Sequence, residues 1–427
     1  MRRQAQLRSS VLAVVSLSVL LFGACSGSMP QPAPDASDVV VFNGARVIVG
    51  DGTVIERGTI VIEDDRLVAV GDGETIEIPA GATQVDLSGR TVMPAIVDTH
   101  VHLRTTTRDE LVEDLQRKAY YGVAAVMSLG RGTGDLPFQV RDEVIPNAAL
   151  YRTVGRGITA PEPGRTEVPY WISTPTEARS AVQELAPQSL ELIKIWVDDR
   201  NGQFEKLTPD LYDAVIDEAH QRDLRVTAHV YTLEDAKGLL RSGLDAFAHG
   251  IRDVDIDNEV LQLFRDRPNV ILAPNLPNPG VTNDLSWLSG TIPPDQLEQM
   301  QARSVDNPAV QELFGIQARN LARLHAEGVT IALGTDGGAG WSPHAEMEDM
   351  VRAGIPAADV LVAATRNSAT LLELDNLGTL EAGKSADFIV LEANPIEDIT
   401  NTRLIVDVYL RGVAVERQAL SEAWLGS

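Results

Sequence analysis

His100 and His102 fall in the run Val97-Asp98-Thr99-His100-Val101-His102. The apolar residues around them read as a strand, and alternation along a strand turns both imidazoles to one face. Two imidazoles on one face can chelate a divalent cation, although a His-x-His pair alone is a weak signal. Lys194 sits in Leu192-Ile193-Lys194-Ile195-Trp196-Val197, where an unpaired ammonium is disfavoured by burial and its pKa should fall. A neutral amine beside metals can take up carbon dioxide as a carbamate, whose two oxygens can bridge cations; a buried structural lysine is the plain alternative. His229 in Thr227-Ala228-His229-Val230, His249 in Phe247-Ala248-His249-Gly250, and Asp336 in Leu333-Gly334-Thr335-Asp336-Gly337 each fall where a strand should end. Any one of these histidines is more simply a core or surface residue; their joint placement favours a ligand set.

The elements needed to gather them can be counted. Apolar strand-like runs alternate with helix-like segments through the middle of the chain, which argues for parallel strands and crossover helices. Strands ending near His102, Leu129, Val154, Val197, Val230, Gly250, Leu276 and Thr335 supply the eight of a TIM-type (β/α)8 barrel, whose active sites open at the C-terminal mouth. Helices are expected over 109–121, 175–185, 209–222, 233–241 and 307–327, several following a Thr or Asp able to cap them. His220 and His325 fall in such helices and read as surface residues. Short alternating runs at 39–42, 45–49, 58–63 and 67–71 return in kind at 388–391, 405–410 and 413–416, so both ends are expected to meet in a small discontinuous β-sandwich. The expected division is 1–25 signal peptide, 26–37 tether, 38–91 with 377–427 sandwich, and 92–376 barrel.

Length and composition fit this plan: 427 residues, 44% hydrophobic, suit one large domain with an appendage. A formal charge of -25 disfavours nucleic acid and gives no attraction to anionic headgroups. Arg2, Arg3 and Arg8 precede an apolar run of about a dozen residues, short of the roughly 20 that span a membrane. The run closes on Cys25, the sole cysteine, in a position that resembles the acylation site of bacterial lipoproteins. It departs from that pattern in placing Phe22 three residues before the cysteine. The expectation is an exported lipoprotein held at the cell envelope by its acyl chains; a soluble periplasmic or secreted form is the alternative. A homo-oligomer is left open.

The order His-x-His, Lys, His, His, Asp resembles the amidohydrolase superfamily of metal-dependent hydrolases, over nearly the whole mature chain. The segment Val92-Met93-Pro94-Ala95-Ile96-Val97-Asp98-Thr99-His100-Val101-His102 resembles that family's entry into its first barrel strand. Ala363-Ala364-Thr365-Arg366-Asn367-Ser368-Ala369, followed by Leu377-Gly378-Thr379-Leu380-Glu381-Ala382-Gly383-Lys384-Ser385-Ala386-Asp387, resembles its return to the sandwich. Within the superfamily the chain looks similar to the imidazolonepropionase-like and prolidase-like branch. It departs from prolidase-like relatives where they carry a Gly-Gly-His motif after the third strand: here Ile158-Thr159-Ala160-Pro161-Glu162-Pro163-Gly164 stands there.

The resemblance implies two divalent cations, with zinc favoured and manganese, cobalt or iron suited to the same donors. His100, His102 and Asp336 would hold one and His229 and His249 the other, with carboxylated Lys194 between them. It further implies hydrolysis of small-molecule amides such as dipeptides or N-acyl amino acids, with Asp336 also moving the proton to the leaving nitrogen. Tyr231 should face the same way as His229 and could donate to the oxyanion, or be a core tyrosine. Arg252 and His344, the latter after a Gly-rich loop, are candidates to meet a substrate carboxylate. A lactone or cyclic-amide ring opener is the alternative enzyme, and a non-catalytic lipoprotein binding module the alternative of another class.

Overall fold

The computed structural model describes residues 39–141, 143–188 and 190–426. The expected signal peptide, tether and Cys25 lie outside the described residues. Among the described residues no helix is long and apolar enough to cross a membrane.

The two ends of the chain, expected to meet in a small β-sandwich, meet in one mixed eight-stranded sheet. The joint is the antiparallel pair Thr91–Pro94 with Phe388–Leu391, in the register Phe388 opposite Pro94 and Leu391 opposite Thr91. Thr91–Pro94 also pairs in parallel with Val39–Ile48, which binds Val54–Glu63 on its other flank. An aromatic cluster fills one face: Phe388 stacks on Tyr409 with centroids 4.7 Å apart, and Phe42 meets Phe388 edge-on at 5.2 Å.

The remaining strands are parallel and form a TIM-barrel-type α/β fold. Ile96–Val101, Val123–Ser128 and Leu150–Thr153 make one run. Ile158–Thr159, Leu192–Val197, Arg225–Val230, Ala246–Ala248, Ile271–Ala273 and Thr330–Ile331 make the other, edged by Tyr170–Trp171. Thr99 N–H donates to Leu333 O (3.0 Å), and Val101 bridges Gly337 in parallel, so the last strand's extension lies against the first. Gly157 N–H donates to Gly130 O at 3.0 Å between the two runs. The expected strand ends all lie within four residues of the observed ones. The pieces Ile158–Thr159 and Tyr170–Trp171 were not expected; two residues give no period to read.

All five expected helices form, and their starts show why. Thr107 and Thr174 accept from the backbone of Glu110 and Glu177, whose carboxylates reach back to the cap. Thr232 caps Leu233–Ser242, which ends on left-handed Gly243 (φ 101°). The exit segment contains a π-helical turn, Ala363–Asn367. From it Asn367 Nδ2 donates to Ile331 O (2.8 Å), while Ser368 Oγ accepts Leu333 N–H (2.9 Å) and donates to Ala363 O (2.7 Å). The strand leading to Asp336 is thus held by side chains as well as by its neighbours.

Candidate metal centre

His100 and His102 point to one side of Ile96–Val101, as alternation requires. His100 Nε2 lies 3.2 Å and His102 Nε2 3.0 Å from Asp336 Oδ1, and His249 Nε2 lies 3.7 Å from Oδ2. His100, His249 and Asp336 each offer a ligand atom within 4.8 Å of the others. The His100 ring meets those of His102 and His249 at 5.1 and 5.2 Å, and the His229 and His249 rings are 4.3 Å apart. Asp336 (φ 53°) and His249 (φ 148°) both occupy left-handed backbone, a costly conformation at a non-glycine residue.

His229 is placed differently from the others. Its Nε2 is taken by Asp198 Oδ2 at 2.9 Å, which leaves Nδ1 as the nitrogen free for a cation. A carboxylate on the far nitrogen fixes a ligating imidazole's tautomer and raises its basicity. Asp198 in turn accepts from Arg200 N–H (2.8 Å) and Arg200 Nη1 (2.5 Å), and Arg200 Nε reaches buried Glu162 at 2.9 Å. Glu162 also pairs with Arg165. Glu162 thus occupies the region where a Gly-Gly-His motif was missed, and it braces Arg200 rather than facing the cluster.

Electrostatics favour cation binding. Burial lowers the pKa of His100 to about 4 and of His229 to about 3, and holds His249 well below the usual imidazole range. These rings are therefore neutral donors at physiological pH. Burial opposes the charge of Asp336, but the His100 and His102 rings beside it keep its carboxyl far below the usual range. Lys194 is fully buried, its Nζ has no hydrogen-bond partner among the described residues, and burial lowers its pKa to about 7. Such an amine is available for carbamate formation, and a carbamate would supply the donor that a buried ammonium cannot. The donor set fits divalent metal: imidazole nitrogens, a carboxylate, and the buried Lys194 Nζ, which has no hydrogen bond among the described residues.

Several residues were missing from the sequence reading. Asp98, fully buried, accepts from Lys118 Nζ (2.8 Å), Thr335 Oγ1 (2.8 Å) and Thr335 N–H (3.1 Å). It ties the first strand to the Thr335-Asp336 segment. Its parity with His100 and His102 was a usable signal. Asn275 Oδ1 meets His100 Nδ1 at 3.2 Å from a loop with no periodicity to reveal it.

Of the expected substrate contacts, Arg252 packs 5.7 Å from the Tyr231 ring, with Nε and Nη2 buried and without a hydrogen-bond partner among the described residues. Its charge acts on Asp336, Tyr231, Asp198 and Glu346. His344 must be corrected. It is buried beneath the loop, with Nδ1 at 3.0 Å from Thr402 Oγ1 and Nε2 at 2.9 Å from Tyr121 O, so neither nitrogen is left for substrate.

The sequence profile of the amidohydrolase family matches residues 201–415, and the chain belongs to that family. It is a metal-dependent hydrolase of carbon–nitrogen bonds. Ochratoxinase of Aspergillus niger is 23% identical over 92% of this chain and 86% of its own length. Imidazolonepropionase of Deinococcus radiodurans is 26% identical over 90% of this chain and 96% of its own. A Bifidobacterium longum structure solved as a candidate prolidase superposes with a TM-score of 0.73 at 27% identity, covering 91% and 98% of the two chains.

Proposed function

We propose that this protein hydrolyses an amide bond in small molecules that carry a carboxylate near the scissile group, in the manner of dipeptides or N-acyl amino acids. The observation that carries it is a pair of buried guanidinium nitrogens, Arg252 Nε and Nη2, with no hydrogen-bond partner among the described residues and within electrostatic reach of Asp336. A carboxylate is the ligand whose geometry such a donor fork matches.

His100, His102 and Asp336 would hold one metal, His229 through Nδ1 and His249 the other, with carboxylated Lys194 between them; zinc suits these donors. Bound metal would supply Lewis acidity and lower the pKa of water toward about 7. Asp336 accepts the proton of the attacking water and delivers it to the departing nitrogen, which leaves poorly as an anion. The Tyr231 hydroxyl donates to the oxyanion of the tetrahedral intermediate. Arg252 fixes the carboxylate, so the carbonyl carbon is presented to the attack. Ring opening of a cyclic amide or lactone uses the same groups, with less reliance on Asp336 when an alkoxide departs.

Metal content per chain, with turnover of a panel of dipeptides, N-acyl amino acids and lactones, tests the assignment. Close to two zinc ions and turnover of free acids but not of their amides support it. Turnover confined to uncharged lactones overturns it. We also infer acylation at Cys25 by analogy with the lipoprotein pattern; mature protein without label after feeding radioactive fatty acid would refute that inference.

A further inference from the structure

We propose that Asn275 is the positioning residue of His100, choosing which ring nitrogen faces the metal, and that Gln317 and Glu346 hold it in place. The inference rests on the metal reading above. Asn275 is buried and follows the strand Ile271–Ala273 in left-handed backbone (φ 45°). Its Oδ1 can only accept, so the proton of neutral His100 lies on Nδ1, 3.2 Å away. The lone pair is then on Nε2, on the side where His102, His249 and Asp336 converge.

The segment on either side of Asn275 is pinned to the rest of the cluster. Pro274 O accepts from Gly250 N–H at 3.1 Å and from buried Gln317 Nε2 at 2.7 Å. Gly250 adjoins His249. Leu276 N–H donates to both Glu346 oxygens, at 3.0 and 3.2 Å. Glu346 belongs to the helix Ser342–Arg352 that follows Asp336. One tripeptide therefore sets His100 directly and is registered against the elements carrying His249 and Asp336. Glu346 is buried, and among the described residues its carboxyl oxygens accept this backbone N–H, which binds the loop to the helix. Gly334 shows how closely the parts fit: a Cβ there would lie 2.8 Å from Asn275 Nδ2 and 3.0 Å from His100 Cβ.

The test compares the full mature chain with Asn275→Gly and Asn275→Asp. Glycine keeps the left-handed backbone while removing the acceptor, and aspartate restores an acceptor. Zinc affinity is read by competition with a chelator, and unfolding temperature is read on metal-free protein. N275G should bind zinc about 10- to 100-fold more weakly, with metal-free unfolding within a few degrees of the parent, and N275D should recover most of the affinity. Parental affinity in N275G, or equal losses in both variants, overturns the proposal. If N275G does not fold, Gln317→Leu is read in the same assay: several-fold weaker zinc binding supports the anchoring, and unchanged binding overturns it. A parent chain that binds no zinc overturns the metal reading and this inference together, before any variant is compared.

Discussion

At the residue scale, the electrostatic work is divided between groups kept neutral and one kept charged. Lys194 has no hydrogen bond among the described residues in its buried position, and the role proposed for it depends on its carboxylation. Lys194→Ala should lower zinc content from near two per chain to below one, and reduce activity more than about a hundredfold; elemental analysis beside turnover checks both, and parental metal content would dismiss the bridging role. Among the described residues Arg252 makes no hydrogen bond through Nε or Nη2. Arg252→Met, which keeps volume but not donors, should raise KM about 10- to 100-fold for carboxylate substrates and leave zinc content unchanged. A fall in kcat with KM unmoved would place Arg252 elsewhere in the cycle. His344 teaches the opposite lesson. A histidine eight residues past a ligand candidate, after a Gly-rich loop, reads as a substrate contact, yet its nitrogens are consumed by Tyr121 and Thr402.

At the element scale, each strand delivers its candidate ligand at its C-terminal end, and side chains from distant segments stop those ends from drifting. Ser368 and Asn367 secure the strand that leads to Asp336, and Asp98 with Lys118 secures its far end at Thr335. Ser368→Ala leaves Leu333 N–H buried without a partner, which costs on the order of 1–3 kcal/mol. The expected outcome is a lower unfolding temperature together with weaker zinc binding, since the released strand carries a proposed ligand. Unfolding temperature lowered with metal affinity intact would separate strand anchoring from ligand placement. From sequence only a Thr or Asp able to cap these helices was legible; the structure completes capping boxes at Thr107 and Thr174, each with a Glu three residues on.

At the scale of the whole molecule, buried neutral histidines make stability depend on pH. His344 illustrates it outside the ligand set: burial lowers its pKa from 6.5 to about 4. The unfolded chain takes up this proton near pH 6.5, while the folded chain resists until about 4. Stability from this group is therefore complete above pH 6.5 and lost as the pH falls toward 4, by on the order of 3 kcal/mol. Metal-free protein should unfold at progressively lower temperature through this window, and His344→Gln should flatten the slope. Parallel slopes in the two proteins would show that His344 does not carry the effect.

The sequence by itself determined the strand and helix order, the face shared by His100 and His102, and the family's entry and exit motifs. Those features are local: strand period, cap spacing and contiguous motifs act over a few residues. Tertiary structure alone decided which nitrogen of His229 is free, because Asp198 arrives from a neighbouring strand end. It likewise decided that Asn275 orients His100 across 175 positions of sequence, and that His344 is internal. Such pairings depend on where parallel strands of different lengths stop, and on left-handed turns at Asn275 and Asp336 that aim their side chains. Hydrogen-bond direction and burial are properties of the packed assembly, and no periodicity along the chain encodes them.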